Sequence, residues 1–170
     1  TPEWLEGALG PGTRVLALSH VAFDTGAKID LSGMSEICRA RGIFLVVDAT
    51  QSVGAVDLDL ASLQGVSALV TSTYKWLLAP YGTALGVVRP ELLAALEQRW
   101  VNWMTTKNAT RAENLLRCTV ETLPGARGLD RGQAPAWITT AMLRATLELF
   151  LELGPGAVAA RSRALADRLV

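Results

Sequence analysis

Gly42-Ile43-Phe44-Leu45-Val46-Val47-Asp48-Ala49-Thr50-Gln51 sets an unbroken apolar run between a glycine and an aspartate. The run is rich in β-branched residues and reads as a strand buried on both faces, the pattern of a parallel sheet covered by helices. Ahead of it, residues 31–41 predict a helix from Leu31 to Arg41, stopped by Gly42 in the position just past a helix end. Arg14-Val15-Leu16-Ala17-Leu18 is strand-like and precedes that helix. Ala68-Leu69-Val70 and Ala84-Leu85-Gly86-Val87-Val88 follow the central run. Short apolar runs alternating with helical patterns predict an α/β fold: a mostly parallel sheet with flanking helices.

Further along, Pro90 suits the first turn of a helix reaching Gln98, because its missing N–H would have no partner there. Residues 99–134 then look irregular. A stretch of that length without regular structure is often functional, and an active-site or interface role is expected for it. From Pro135 a long helix is expected, with Ile138, Met142, Ala145, Leu149 and Leu153 at helical spacing. Gly154-Pro155-Gly156 breaks it, and a second helix runs toward Val170. The expected division is therefore a sheet-bearing part (1–98), an irregular segment (99–134) and a helical region (135–170). Both ends read as cut: Thr1-Pro2-Glu3-Trp4 begins inside a helical pattern and Leu169-Val170 ends without a cap. A piece of a larger chain is expected.

Composition narrows the function classes. Half of the 170 residues are apolar and the formal net charge is zero, which argues against nucleic acid and anionic membranes as partners. Every long apolar stretch is interrupted by charge, Gly or Pro, and no signal segment opens the chain, so a cytoplasmic location is the default expectation. Cys38 and Cys118 form no disulfide framework, and His20, the single histidine, excludes a Cys/His zinc pattern; no metal site is expected. Lysine is scarce. Only Lys28, Lys75 and Lys107 could supply an amine to chemistry.

In parallel α/β sheets, ligands bind outside the carboxyl ends of the strands. Three polar clusters fall there: Ser19-His20, Asp48 with Gln51, and Ser72 to Lys75. Neighbouring strand ends would turn His20, Asp48 and Lys75 toward one crevice. Each residue also has a plainer reading. Asp48 could be a turn former, although a carboxylate leaving an apolar strand is costly unless paired. Lys75 could be a solvated surface lysine, but Tyr74, Trp76, Leu77 and Leu78 surround it, and apolar surroundings disfavour the ammonium form. His20 alone could be a core histidine, Ser72 and Thr73 plain strand-end hydroxyls, and Trp76 and Trp103 core or interface residues. Cys38 reads as packing.

Asp48-Ala49-Thr50-Gln51-Ser52-Val53-Gly54, then Ser72-Thr73-Tyr74-Lys75-Trp76-Leu77, then Gly82-Thr83-Ala84-Leu85-Gly86, resembles the core of the class V aminotransferase family. Leu18-Ser19-His20-Val21, Thr25-Gly26 and Asp30-Leu31 extend the resemblance, which covers most of Thr13 to Glu91 and, more weakly, the helices after Pro135. That family comprises fold-type I enzymes of pyridoxal 5'-phosphate (PLP), among them cysteine desulfurases, kynureninases and isopenicillin N epimerases. The resemblance implies a partial PLP-dependent transferase large domain followed by a helical region leading to the small domain, a homodimer, and an amino-acid substrate. It also implies roles. Asp48 would pair with the pyridine nitrogen and Gln51 with the phenolic oxygen. Lys75 would hold the cofactor as a Schiff base and then shuttle the α-proton. Ser72 and Tyr74 would contact the phosphate, and His20 would lie near the ring or its phenolic oxygen.

The departures are informative. Tyr74 stands where many members have histidine, and looks like the kynureninase-type variant. Gly132-Gln133 replaces the Gly-Thr that reaches a neighbouring subunit's phosphate. The family's earlier half, with its phosphate loop and ring-stacking aromatic residue, and its later substrate-carboxylate arginine have no counterpart here. The implied function is thus PLP-dependent chemistry on an amino acid, with transamination, elimination, hydrolysis and epimerisation all open. The rival is a non-catalytic or truncated fold-type I domain serving dimerisation. A nucleotide-binding doubly wound domain would need a Gly-x-Gly-x-x-Gly or a phosphate loop, and neither follows any strand.

Overall fold

The computed structural model describes residues 1–97, 101–107, 121–130 and 136–169. Its elements run α1 (Pro2–Ala8), β1 (Val15–Ser19), α2 (Leu31–Ala40), β2 (Phe44–Asp48), β3 (Val66–Ser72), β4 (Ala84–Val88) and α3 (Pro90–Ala95). A short 3-10 helix (Gly125–Leu129), α4 (Trp137–Leu153) and α5 (Pro155–Ala166) follow. The sheet order is β1-β2-β3-β4, with β1–β2 and β2–β3 parallel, in a mixed sheet flanked and followed by helices. The α/β expectation holds.

The core lies between the sheet and α2. Leu45 and Val47 of β2 are fully buried in one cluster with Leu31, Cys38, Val66 and Leu69. Phe44 and Val46 alternate to the other face and are only half-buried, so β2 is sealed on one side rather than on both as expected. α2 presents Leu31, Met34, Ser35 and Cys38 inward, at helical spacing. It begins where Asp30 accepts a hydrogen bond from the Gly33 N–H at 3.0 Å, and Gly42 follows it at φ 66°. Asp30→Ala should cost about 1 kcal/mol while Asp30→Asn retains most of the cap, and the midpoint of urea unfolding checks both. Burial pushes the Cys38 thiol above its ordinary range, in line with a packing role.

Thr1 caps α1 by accepting from the Trp4 N–H, with Pro2 in the first turn. α3 ends at Ala95, with Leu96 already extended. Gln98, Cys118, Gly132-Gln133, Pro135 and Val170 lie outside the described residues.

The chain divides into two compact units, Thr1–Gly86 with Ala136–Val170, and Val87–Pro135. Within the second, an antiparallel bridge joins Thr106 to Thr122, and Lys107 pairs with Glu121 at 3.0 Å. That exposed pair contributes at most about 1 kcal/mol. Trp103 is 46% exposed and so belongs to no core. In the first unit, α4 exposes Trp137, Ile138, Met142, Leu149 and Leu153 and buries Leu143. No described helix is long and apolar enough to cross a membrane.

Candidate active site

The ends of β1, β2 and β3 lie side by side: Ser19 is in register with Asp48, and Asp48 with Val70. The main chain continues that alignment, as the His20 N–H donates to the Asp48 carbonyl at 2.9 Å. The three polar clusters thus leave neighbouring strands at one edge of the sheet.

Asp48 is exposed, and its carboxylate accepts from the Thr50 N–H at 2.9 Å. Water, rather than a buried partner, meets the expected cost of its charge. Gln51 is half-buried. Beside it, Ser72 is held on β3 with its Oγ buried and without a hydrogen-bond partner. Lys75 is half-buried in a tight turn, where the Leu78 N–H donates to the Lys75 carbonyl and the Ala79 N–H to the Thr73 carbonyl, each at 3.1 Å. Leu78 closes that turn at φ 56°, a region branched residues seldom enter. Thr73 hydrogen-bonds Thr83 through both the hydroxyl and the carbonyl of the latter, fixing the turn's base.

The apolar enclosure expected around Lys75 is partial. Leu77 is buried, but Trp76 is 46% and Leu78 67% exposed. Tyr74 stacks on Tyr81 with ring centroids 4.2 Å apart, and the Lys75 amine lies 5.9 Å from the Tyr74 ring centre. Among the described residues, neither Asp48 nor Lys75 forms an ion pair.

Two contacts bind the Asp48 loop to the Lys75 turn. The Ser72 N–H donates to the Thr50 hydroxyl at 3.1 Å. Gly54, at φ 94°, lies so close to Trp76 that a Cβ would sit 2.8 Å from the Trp76 carbonyl oxygen. Neither Thr50 nor Gly54 stood out for chemistry in the sequence. A glycine a few residues past a strand-end aspartate is a signal for such close approach. Tyr81 was also missed, because Pro80-Tyr81-Gly82 reads only as a turn.

His20 lines a groove of about 530 Å³ with Lys28, Asp30, Asp57, Asp59 and Ser62. It is 4% exposed, with Nδ1 lacking a partner among the described residues. Burial, followed by the nearby Lys28 charge, lowers its pKa below the ordinary 6.5. The unfolded chain therefore takes up a proton that the folded chain resists, so stability is lost as pH falls through 6.5. His20→Gln should flatten this part of the profile, read as the difference between the two proteins' urea midpoints from pH 7.5 to about pH 5. Equal slopes in that range would show that the imidazole titrates normally.

The residues fit a phosphorylated pyridine aldehyde. Among the described residues, an unpartnered buried hydroxyl at Ser72 suits an anionic oxygen, a carboxylate without an ion pair at Asp48 suits a ring N–H, and an amine without an ion pair at Lys75 suits an aldehyde.

The chain is 35% identical over 164 residues to isopenicillin N epimerase of Streptomyces clavuligerus, covering 94% of this chain and 40% of that protein. It is 43% identical over 60 residues to the cysteine desulfurase IscS of Escherichia coli, covering 35% of this chain and 15% of the relative. It thus spans two fifths or less of these relatives. Among solved structures, a C-DES point mutant with glycine covalently linked to its PLP cofactor superposes with a TM-score of 0.83 at 24% identity, over 99% of this chain and 42% of that one. That likeness establishes the fold. The sequence profile described as aminotransferase class-V matches residues 1–170, so the chain belongs to the class V aminotransferase family.

Proposed function

We propose that the chain carries the PLP-binding core of an enzyme acting on an amino acid, with Lys75 holding the cofactor as a Schiff base. The observation that carries this reading is the joining of the Asp48 loop to the Lys75 turn around a buried, unpartnered Ser72 hydroxyl. Bound PLP supplies an electron sink for charge developing at a substrate's α-carbon.

The protein's share of the chemistry follows from its residues. Asp48 holds a proton on the ring nitrogen by charge-assisted hydrogen bonding, which keeps the sink electron-poor. Gln51 donates its amide to the phenolic oxygen. Ser72 and Tyr74 donate hydroxyls to the phosphate and so orient the ring. Lys75 would hold the cofactor's aldehyde carbon through its amine, and the same amine would move the α-proton as a general base. His20, whose N–H bonds the Asp48 carbonyl and whose pKa is lowered by burial, would stand near the ring or its phenolic oxygen as a neutral imidazole. Transamination, elimination, side-chain hydrolysis and epimerisation all begin from this proton transfer. A homodimer is the proposed assembly.

Titrating the chain with PLP should produce an absorbance band at the visible edge that borohydride bleaches, leaving one cofactor fixed per chain by mass. No band in this chain but one in a chain extended at its N-terminus would mean an enzyme fragment, and no band in either would sink the reading and favour a dimerisation module.

A further inference from the structure

The β2–β3 ladder ends in an unusual way. In a parallel pair, a residue that donates to one carbonyl of its neighbour receives from the N–H two residues further along that neighbour. Ala49 donates to the Val70 carbonyl at 2.8 Å, so its own carbonyl is due the Ser72 N–H. That carbonyl is instead occupied by the Ser52 and Val53 N–H groups, each at 2.9 Å, and by the Ser52 and Thr71 hydroxyls. The turn carrying Gln51 takes the acceptor that the ladder would have used. The Thr50 hydroxyl stands in for it, accepting from Ser72 at 3.1 Å. The same residue's N–H donates to the Asp48 carboxylate at 2.9 Å. One residue therefore ties the carboxylate on β2 to the serine on β3.

We infer that Thr50 is a positioning residue: its hydroxyl replaces a lost ladder acceptor and so holds Ser72 at the height where its buried hydroxyl meets a phosphate. The inference rests on the cofactor reading above and goes beyond it, because it gives a role to a hydroxyl outside the set proposed to hold the cofactor. Its backbone N–H would serve Asp48 whatever the side chain, so the side chain's effect is confined to the phosphate end. A general loosening of the site would not be so selective.

The test compares wild type, Thr50→Val and Thr50→Ser by equilibrium binding of PLP and of pyridoxal, which lacks the phosphate. Amide hydrogen exchange at Ser72 is measured in the cofactor-free chain. Thr50→Val keeps the side chain's shape and removes the acceptor. It should weaken PLP binding about tenfold, the equivalent of one buried hydrogen bond. It should leave pyridoxal affinity within about twofold and speed exchange at Ser72. Thr50→Ser should match wild type in all three. Equal weakening for both ligands, or no change for either, would overturn the positioning role, as would unchanged exchange at Ser72. A wild type that binds neither ligand, in this chain and in one extended at its N-terminus, would overturn the cofactor reading itself, a separate result from loss in the variant alone.

Discussion

Lys75→Ala is expected to abolish covalent capture of PLP: the borohydride-bleached band disappears and the mass fixed per chain falls to background. The parent enzyme should lose at least about 10³-fold in turnover, because the same amine is asked to anchor the cofactor and to move the α-proton. The variant should fold normally. Lys75 is half-buried, forms no ion pair among the described residues, and follows an exposed tyrosine and precedes an exposed tryptophan. Removing such a side chain usually changes stability by less than about 0.5 kcal/mol. PLP would still be expected to bind weakly and reversibly, through Asp48, Ser72 and Tyr74. Lys75→Arg keeps the positive charge without an amine able to form the imine, and should fail equally. Lys28 and Lys107 serve as controls. Lys28 stands by the His20 groove and Lys107 pairs with Glu121, so alanine at either should leave capture intact. Persistent capture by Lys75→Ala, or loss of capture in Lys28→Ala, would assign the amine to another residue.

What the sequence revealed divides along a physical line. The strands, α2 and the adjacency of Asp48 to the Ser72–Lys75 run were legible because apolar periodicity and strand-end polarity are local signals, and parallel topology places like ends together. Burial was less legible. β2 looked sealed on both faces, yet Phe44 and Val46 are half-buried, and Trp76 and Leu78 proved exposed around a lysine whose neighbours suggested an apolar pocket. A residue's character does not say which surfaces meet it. His20 shows the same limit: its strand-end position was predictable, but the groove it lines with residues from 28–32 and 56–63 was not. Thr50 was invisible for another reason. Its role depends on the Ala49 carbonyl being diverted into the next turn, a competition for acceptors that no spacing rule encodes.

The sharpest structural prediction concerns Gly65, where the chain enters β3 against α2. A Cβ there would lie 1.9 Å from the Ser35 carbonyl oxygen and 2.7 Å from its carbon. Those atoms are helix backbone, which cannot swing aside as a flexible side chain could, so α2 or β3 must move bodily. Gly65 also donates its N–H to the Ser35 hydroxyl at 2.8 Å, and Ser35 is 3% exposed, so any movement opens a buried hydrogen bond as well. Gly65→Ala should cost about 3 kcal/mol or more, the upper end of overpacking, lowering the melting temperature by roughly 6–12 °C in a chain of this length. Ser35→Ala removes only the hydroxyl, leaves the Gly65 N–H without its acceptor and should cost about 1–3 kcal/mol. The double variant separates the two effects. The clash is with the Ser35 backbone, so deleting its hydroxyl cannot relieve it, and Gly65→Ala with Ser35→Ala should be no more stable than Gly65→Ala alone. Thermal unfolding of all four proteins decides the matter. A double variant restored to near wild type would place the conflict in the Ser35 side chain and mean that α2 packs less tightly on β3 than the 1.9 Å approach requires.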